Sequence, residues 1–310
     1  MEQETGLSCP VAVIACTAMA FFYVAILYAP SFILRLPPPP SVNEFMIRRF
    51  ICAAISSIVS ILCCALILPI RSREASHILG LYGIRLDHIW QAVVLPLSLT
   101  SLMYAGTLVL KSLVLVDICK ESEGGGFSID CTKRLLRNLT YLMSATTSDV
   151  MAWRNYIVAP LTEELVFRAC MIPLLLCGGF KIYSVIFLCP ILFSLAHLNH
   201  WMEIYTRHNY SFLKASVVVG LQLGYTVVFG SYASFLYIRT GHLLAPIVAH
   251  MFCNMMGLPV LFARSKGLVG LAFVAGVAAF LWLLFPITQP NLYNDRTINC
   301  SCWHGYCSWN

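Results

Sequence analysis

Residues 159–168 read Ala159-Pro160-Leu161-Thr162-Glu163-Glu164-Leu165-Val166-Phe167-Arg168, placing two adjacent carboxylates and an arginine in a chain that is 59% hydrophobic and 11% charged. Ionisable side chains inside apolar segments are costly, and a reading of function starts from them. Two more polar patches interrupt equally apolar surroundings: Phe193-Ser194-Leu195-Ala196-His197-Leu198-Asn199-His200 and His250-Met251-Phe252-Cys253-Asn254. Each of the three sits in its own hydrophobic run, and their convergence on one site is the central expectation.

The surrounding chain decides the fold class. A mean hydropathy of +0.79 over 310 residues describes an all-α polytopic membrane protein, not a soluble globule. Apolar runs at 11–29, 50–70, 92–116, 156–177, 182–200, 212–237, 243–262 and 268–285 predict about eight transmembrane helices with an intramembrane active-site cavity. Pro96 is the expected kink of the third run. No second domain is visible, so residues 1–310 form a single integral membrane domain. The acidic start, Met1-Glu2-Gln3-Glu4, lacks the basic region of a cleaved signal peptide, so residues from Val11 onward read as a retained first span.

The net charge of +6 is scattered over short loops. It suits topology and contact with membrane lipid; without aromatic residues interleaved in a basic stripe, it gives no basis for binding nucleic acid. The basic first and third loops place the N-terminus outside and those loops in the cytosol, although Arg71, Arg73 and Arg85 of the second loop pull the other way. Residues 131–150 alternate Lys133, Arg134 and Arg137 with Leu135, Leu136, Leu139 and Leu142, the pattern of an amphipathic surface helix or an ordinary loop helix. Most of the 14 cysteines lie in apolar runs and read as small hydrophobes. Cys300, Cys302 and Cys307 occupy a polar tail and could pair there in an oxidising lumen. Glycosylation triplets at Asn138, Asn209 and Asn299 are too common by chance to decide topology.

The chemistry-bearing residues divide by spacing. Pro160 suits a first helical turn, and on that reading Glu163 and Glu164 decorate a positive helix start. Arg168 follows Glu164 by four residues, the order that favours an ion pair. Glu163 is paired by that spacing only with Phe167 and stays available as a general base. His250 and Asn254, also four apart, share a helix face. Cys253 is expected to turn away from it, and His242 to lie at the interface. In hydrocarbon each polar group needs a partner, and the economical solution is that Glu163, His197, His250 and Asn254 meet in one wet cavity. A carboxylate and histidines around a water can hydrolyse an amide, the base taking the water's proton and imidazole or amide donors holding the oxyanion. The chain has neither an HExxH nor a GxSxG, so the metalloprotease helix and the serine elbow are missing, and neither a metal nor another cofactor is implied. A rival reading makes buried Glu and His a proton or ion pathway of a transporter, and a third makes the chain a membrane scaffold.

Glu163-Glu164-x-x-x-Arg168, Phe193-x-x-x-His197 and His250-x-x-x-Asn254, in this order and each in its own apolar segment, resemble the type II CAAX prenyl endopeptidases within the wider bacteriocin-immunity-like membrane protease superfamily. The resemblance covers residues 153–258, the CAAX protease core; the first 110 residues contribute hydropathy alone. It implies an eight-helix enzyme of the endoplasmic reticulum membrane with its active site facing the cytosol. Such an enzyme removes the three terminal residues, aaX, from farnesylated or geranylgeranylated CAAX proteins, among them Ras-like and other small GTPases. By the same resemblance Glu163 and His197 activate the water, His250 and Asn254 form the oxyanion site, and Glu164 and Arg168 support them.

Overall fold

A backbone in hydrocarbon has to satisfy its own N–H and C=O groups, and these long apolar runs do so as helices. The computed structural model describes residues 7–68, 79–122, 137, 147–198, 201, 205, 211–259 and 267–293. The amphipathic stretch expected at 131–150 falls largely outside them, as do Arg71, Arg73, His200, the tail cysteines and the three glycosylation asparagines. Among the described residues there is no strand, and nine helices exceed ten residues: α1 Cys9–Ala25, α2 Val42–Ile67, α3 Ile89–Met103, α4 Ala105–Ser122, α5 150–177, α6 Ile182–Leu195, α7 Phe212–Thr240, α8 Leu244–Met256 and α9 Gly267–Ile287. Each of the eight expected runs contains a helix.

They are not alike as spans. Among the described residues, four segments are long and apolar enough to cross a bilayer: Cys9–Phe32, Val42–Ile67, Phe212–Thr240 and Gly267–Ile287. The pair α3 and α4 is a fifth if counted as one span, with a bend of 80°. The break falls at Tyr104, not at Pro96, which lies inside α3. Tyr104 leaves helical geometry, is buried, and donates its hydroxyl to the Gly257 carbonyl at 2.8 Å, anchoring the bend to the end of α8. α9 presses into this bend where Gly276 has no side chain: a Cβ there would stand 2.2 Å from the Leu102 carbonyl oxygen. With 13 residues, α8 covers about 20 Å, short of a ~30 Å hydrocarbon core. The candidate site is built from such shorter or interrupted pieces, held by the long helices around them.

α5 is the axis of the fold. Val166 to Ile172 are all buried, as are Leu174, Leu175 and Leu176. The helix is continuous but changes register twice, with π-helical turns at Arg154–Val158 and Leu165–Cys170 on either side of the α-helical Ala159–Glu164. Pro160 supplies a local cause for the first. It has no N–H to give, and its ring crowds the carbonyl four residues back. Around the second turn, thiols from three neighbours donate to α5 carbonyls: Cys189 to Phe167 at 2.7 Å, Cys64 to Cys170 at 3.4 Å and Cys16 to Met171 at 3.7 Å. These cysteines pack as small hydrophobes, and they also satisfy backbone acceptors where the α ladder is interrupted. Tyr23 of α1 adds a hydroxyl bond of 2.9 Å to Thr162, beside Glu163.

Candidate active site

Glu164 lies wholly inside the protein. Its Oε1 accepts from Arg168 Nη1 at 3.0 Å, the ion pair that the spacing predicts. It also accepts from His250 Nδ1 at 2.8 Å, bringing α8 to α5. Arg168, equally buried, sends Nη2 to the Gly230 carbonyl of α7 at 3.4 Å and lies 4.5 Å over the Phe193 ring of α6. One buried ion pair therefore ties four helices together. An ionised carboxylate only accepts, so His250 carries a proton on Nδ1. Nε2 then faces the other glutamate, 3.9 Å from Glu163 Oε2. It is a proton acceptor in the neutral ring and a donor in the imidazolium.

Glu163 sits on the open side. Its side chain keeps 15% of its accessible surface and lines a cavity of about 300 Å³ together with His197, His250, Cys253 and Asn254. All four expected catalytic side chains meet in this one space. His197 is on a 3₁₀ turn, Ala196–Leu198, that ends α6. Its Nδ1 is 2.9 Å from the Phe193 carbonyl, which can only accept, so Nδ1 donates and, in the neutral ring, the lone pair is on Nε2. Phe193 fixes the ring further: it meets His197 edge-on at 4.7 Å and Phe167 at 5.0 Å between centroids. Asn254 donates from Nδ2 to the Asn155 carbonyl at 2.8 Å. That bond uses one amide proton and leaves the second for a ligand.

The structure revises several expectations. Glu163 and Glu164 do not decorate a helix start: residues 158 to 165 are helical on both sides of Pro160, so no N-terminal dipole acts on them. Cys253 does not turn away. Three residues on from His250, it is only about 60° around the helix, and the cavity wraps that far. His242, in the short link between α7 and α8, is enclosed by protein at 1% exposure, and its Nδ1 accepts from the Leu244 N–H at 3.3 Å. Burial pushes its pKa below the ordinary value; Asp87 opposes the shift, and Arg85 adds to it. Arg154 and Asn155 on the first π turn also line the cavity. Proline inside an apolar run was the available signal for an irregular functional helix. A second space of about 80 Å³, between α5, α1 and α2, shares Arg154, Ala159, Glu163, Phe193 and His197 with the first and is otherwise walled by residues such as Leu27, Phe50 and Phe167. Among the described residues no three His, Cys, Asp or Glu side chains are grouped to hold a metal ion.

Comparison with known proteins bears directly on this arrangement. Residues 146–256, which contain every side chain of the larger cavity, match the family model described as type II CAAX prenyl endopeptidase Rce1-like. The CAAX prenyl protease 2 of Arabidopsis thaliana is 62% identical over 98% of this chain and 98% of its own. The chain belongs to the type II CAAX prenyl endopeptidases. The CAAX prenyl protease 2 of Homo sapiens is 36% identical over 94% of this chain and 85% of its own, and that of Caenorhabditis elegans 32% over 78% and 85%. No solved structure matches the chain. Membership in a protease family favours hydrolysis over the ion-pathway reading.

Proposed function

We propose that this CAAX prenyl endopeptidase cuts the peptide bond after the prenylated cysteine with a water held between Glu163 and His197. Glu163 takes a proton from the water, with the His197 Nε2 lone pair orienting it. The oxygen adds to the scissile carbonyl carbon, and the negative charge that develops on the carbonyl oxygen is met by Asn254 and, in its imidazolium form, by His250. Collapse breaks the C–N bond, and the proton held by Glu163 goes to the leaving nitrogen. The products are a prenylcysteine with a new carboxylate and a free aaX tripeptide. Glu164 and Arg168 hold His250 from behind. The observation that carries this reading is the unequal fate of two adjacent glutamates: one is consumed by a buried ion pair, the other faces His197 across an open cavity.

The substrates of this reading are farnesylated or geranylgeranylated CAAX proteins, Ras-like small GTPases among them, reached from the cytosolic face of the endoplasmic reticulum membrane. The basic third loop supports that orientation. The decisive experiment is cleavage of a farnesylated CAAX peptide by the purified protein in detergent, with mass analysis of both products. Release of the intact tripeptide is expected. Cleavage at any other bond, or none, overturns the reading. Labelling of a single cysteine introduced at Lys133 from the cytosolic side tests the topology, and labelling from the lumenal side alone would reverse it.

A further inference from the structure

We propose that Arg154 is the receptor for the C-terminal carboxylate of the substrate, and so sets the enzyme's requirement for a free chain end three residues past the cut. The inference rests on the endopeptidase reading and names a residue that reading does not use. Arg154 is half-buried, on the first turn of the interrupted part of α5. Among the described residues that line the 300 Å³ cavity it is the one lysine or arginine. Its side chain makes no hydrogen bond or ion pair with any described residue, in contrast to Arg168, whose charge is spent on Glu164 and Gly230. Arg49, the other arginine nearby, lines only the smaller space and packs over the Phe45 ring at 5.5 Å.

The substrate supplies what this guanidinium lacks. Three residues in extended form reach at most about 11 Å, so the terminal carboxylate stays within the site once the scissile carbonyl is beside Glu163. Without a counter-charge it would enter a cavity already lined by the Glu163 carboxylate, and repulsion would oppose binding. A planar guanidinium takes a carboxylate in two parallel hydrogen bonds, fixing its direction as well as its charge. Position adds to this. Arg154 precedes Asn155, whose carbonyl accepts from Asn254 at 2.8 Å, so the carboxylate clamp and the oxyanion donor are held by neighbouring residues of one turn. An amide in place of the carboxylate would leave the charge unmet.

The test compares two farnesylated peptides differing only at the end, a free acid and its C-terminal amide, by kcat/KM in detergent. The native enzyme is expected to prefer the acid by about 10–100-fold, the range of a charge-assisted hydrogen bond. In Arg154→Met this preference should collapse to near one, chiefly through KM for the acid, and Arg154→Lys should recover part of it. Melting temperatures of the three proteins provide the folding control, and the Lys variant keeps the test alive if the Met variant folds poorly. Equal cleavage of acid and amide by the native enzyme overturns the assignment while leaving the endopeptidase reading intact. So does an Arg154→Met enzyme that keeps the native preference. Failure of the native enzyme to cut either peptide overturns the endopeptidase reading itself.

Discussion

Glu164 and Glu163 are neighbours in sequence and belong to two different physical regions. The inner one, Glu164 with Arg168 and the back of His250, is dry: both charged side chains have no exposed surface and their bonds run to other parts of the protein. The outer one, Glu163 with His197, Asn254 and the front of His250, faces a cavity, and Glu163 approaches His250 only to 3.9 Å. A step of one residue on a helix is a rotation of about 100°, enough to exchange a structural carboxylate for a reactive one. Among these side chains His250 alone belongs to both regions, so the inner region acts on chemistry by fixing one ring. The lesson is that charge in an apolar segment does not name a catalyst; the partners of each charge do.

The comparison breaks most sharply at Glu163. Glu163→Gln keeps shape and loses the base, and kcat should fall by about 10²–10⁴-fold with the melting temperature unchanged. Turnover measured on one fluorogenic prenyl-peptide checks it, and near-native kcat in a well-folded variant would move the base to another residue. His197→Ala should lose a similar share, because the water loses its second contact. Glu164→Ala should show the opposite signature. Removing one partner of a buried pair leaves Arg168 charged and unmet, worth about 3–5 kcal/mol of stability, read as lower yield and melting temperature before any kinetic loss. If that variant folds normally and only kcat drops, the division between the two regions fails.

Smaller effects sharpen the boundary. Asn254→Ala should cost about 10²–10³ in kcat with little change in KM, the signature of a donor acting on the transition state. An increase in KM alone would make Asn254 a ground-state contact that merely ties α8 to Asn155. The smallest effect expected is remote from the site. His242 is buried with its pKa held below 6.5, so the unfolded chain binds the proton more readily than the folded one. Stability should therefore be fully present above about pH 6.5 and decline as the pH falls below it. Melting temperatures at about pH 5.5 and 7.5 should differ in the native protein and differ less in His242→Gln. An unchanged slope in the variant would assign the pH dependence to other groups.

Sequence alone determined much of this protein, because hydrocarbon is an exacting solvent. A backbone in apolar runs has to be helical, and polar side chains within those runs have to find one another, so the all-α membrane fold and the meeting of Glu163, His197, His250 and Asn254 were legible from composition and order. The Glu164–Arg168 pair was legible too, because spacing of four residues is a property of one helix. What crosses between helices was not. That His250 completes the Glu164 pair, that Cys253 and Arg154 line the cavity, that the bend falls at Tyr104 and that His242 is enclosed all depend on which helix stands opposite. The π turns on either side of Ala159–Glu164, one beside Pro160 and one whose carbonyls accept from neighbouring thiols, are likewise a matter of packing. Local spacing fixes which side chains share a face; only packing decides whether that face meets a dry partner or an open cavity.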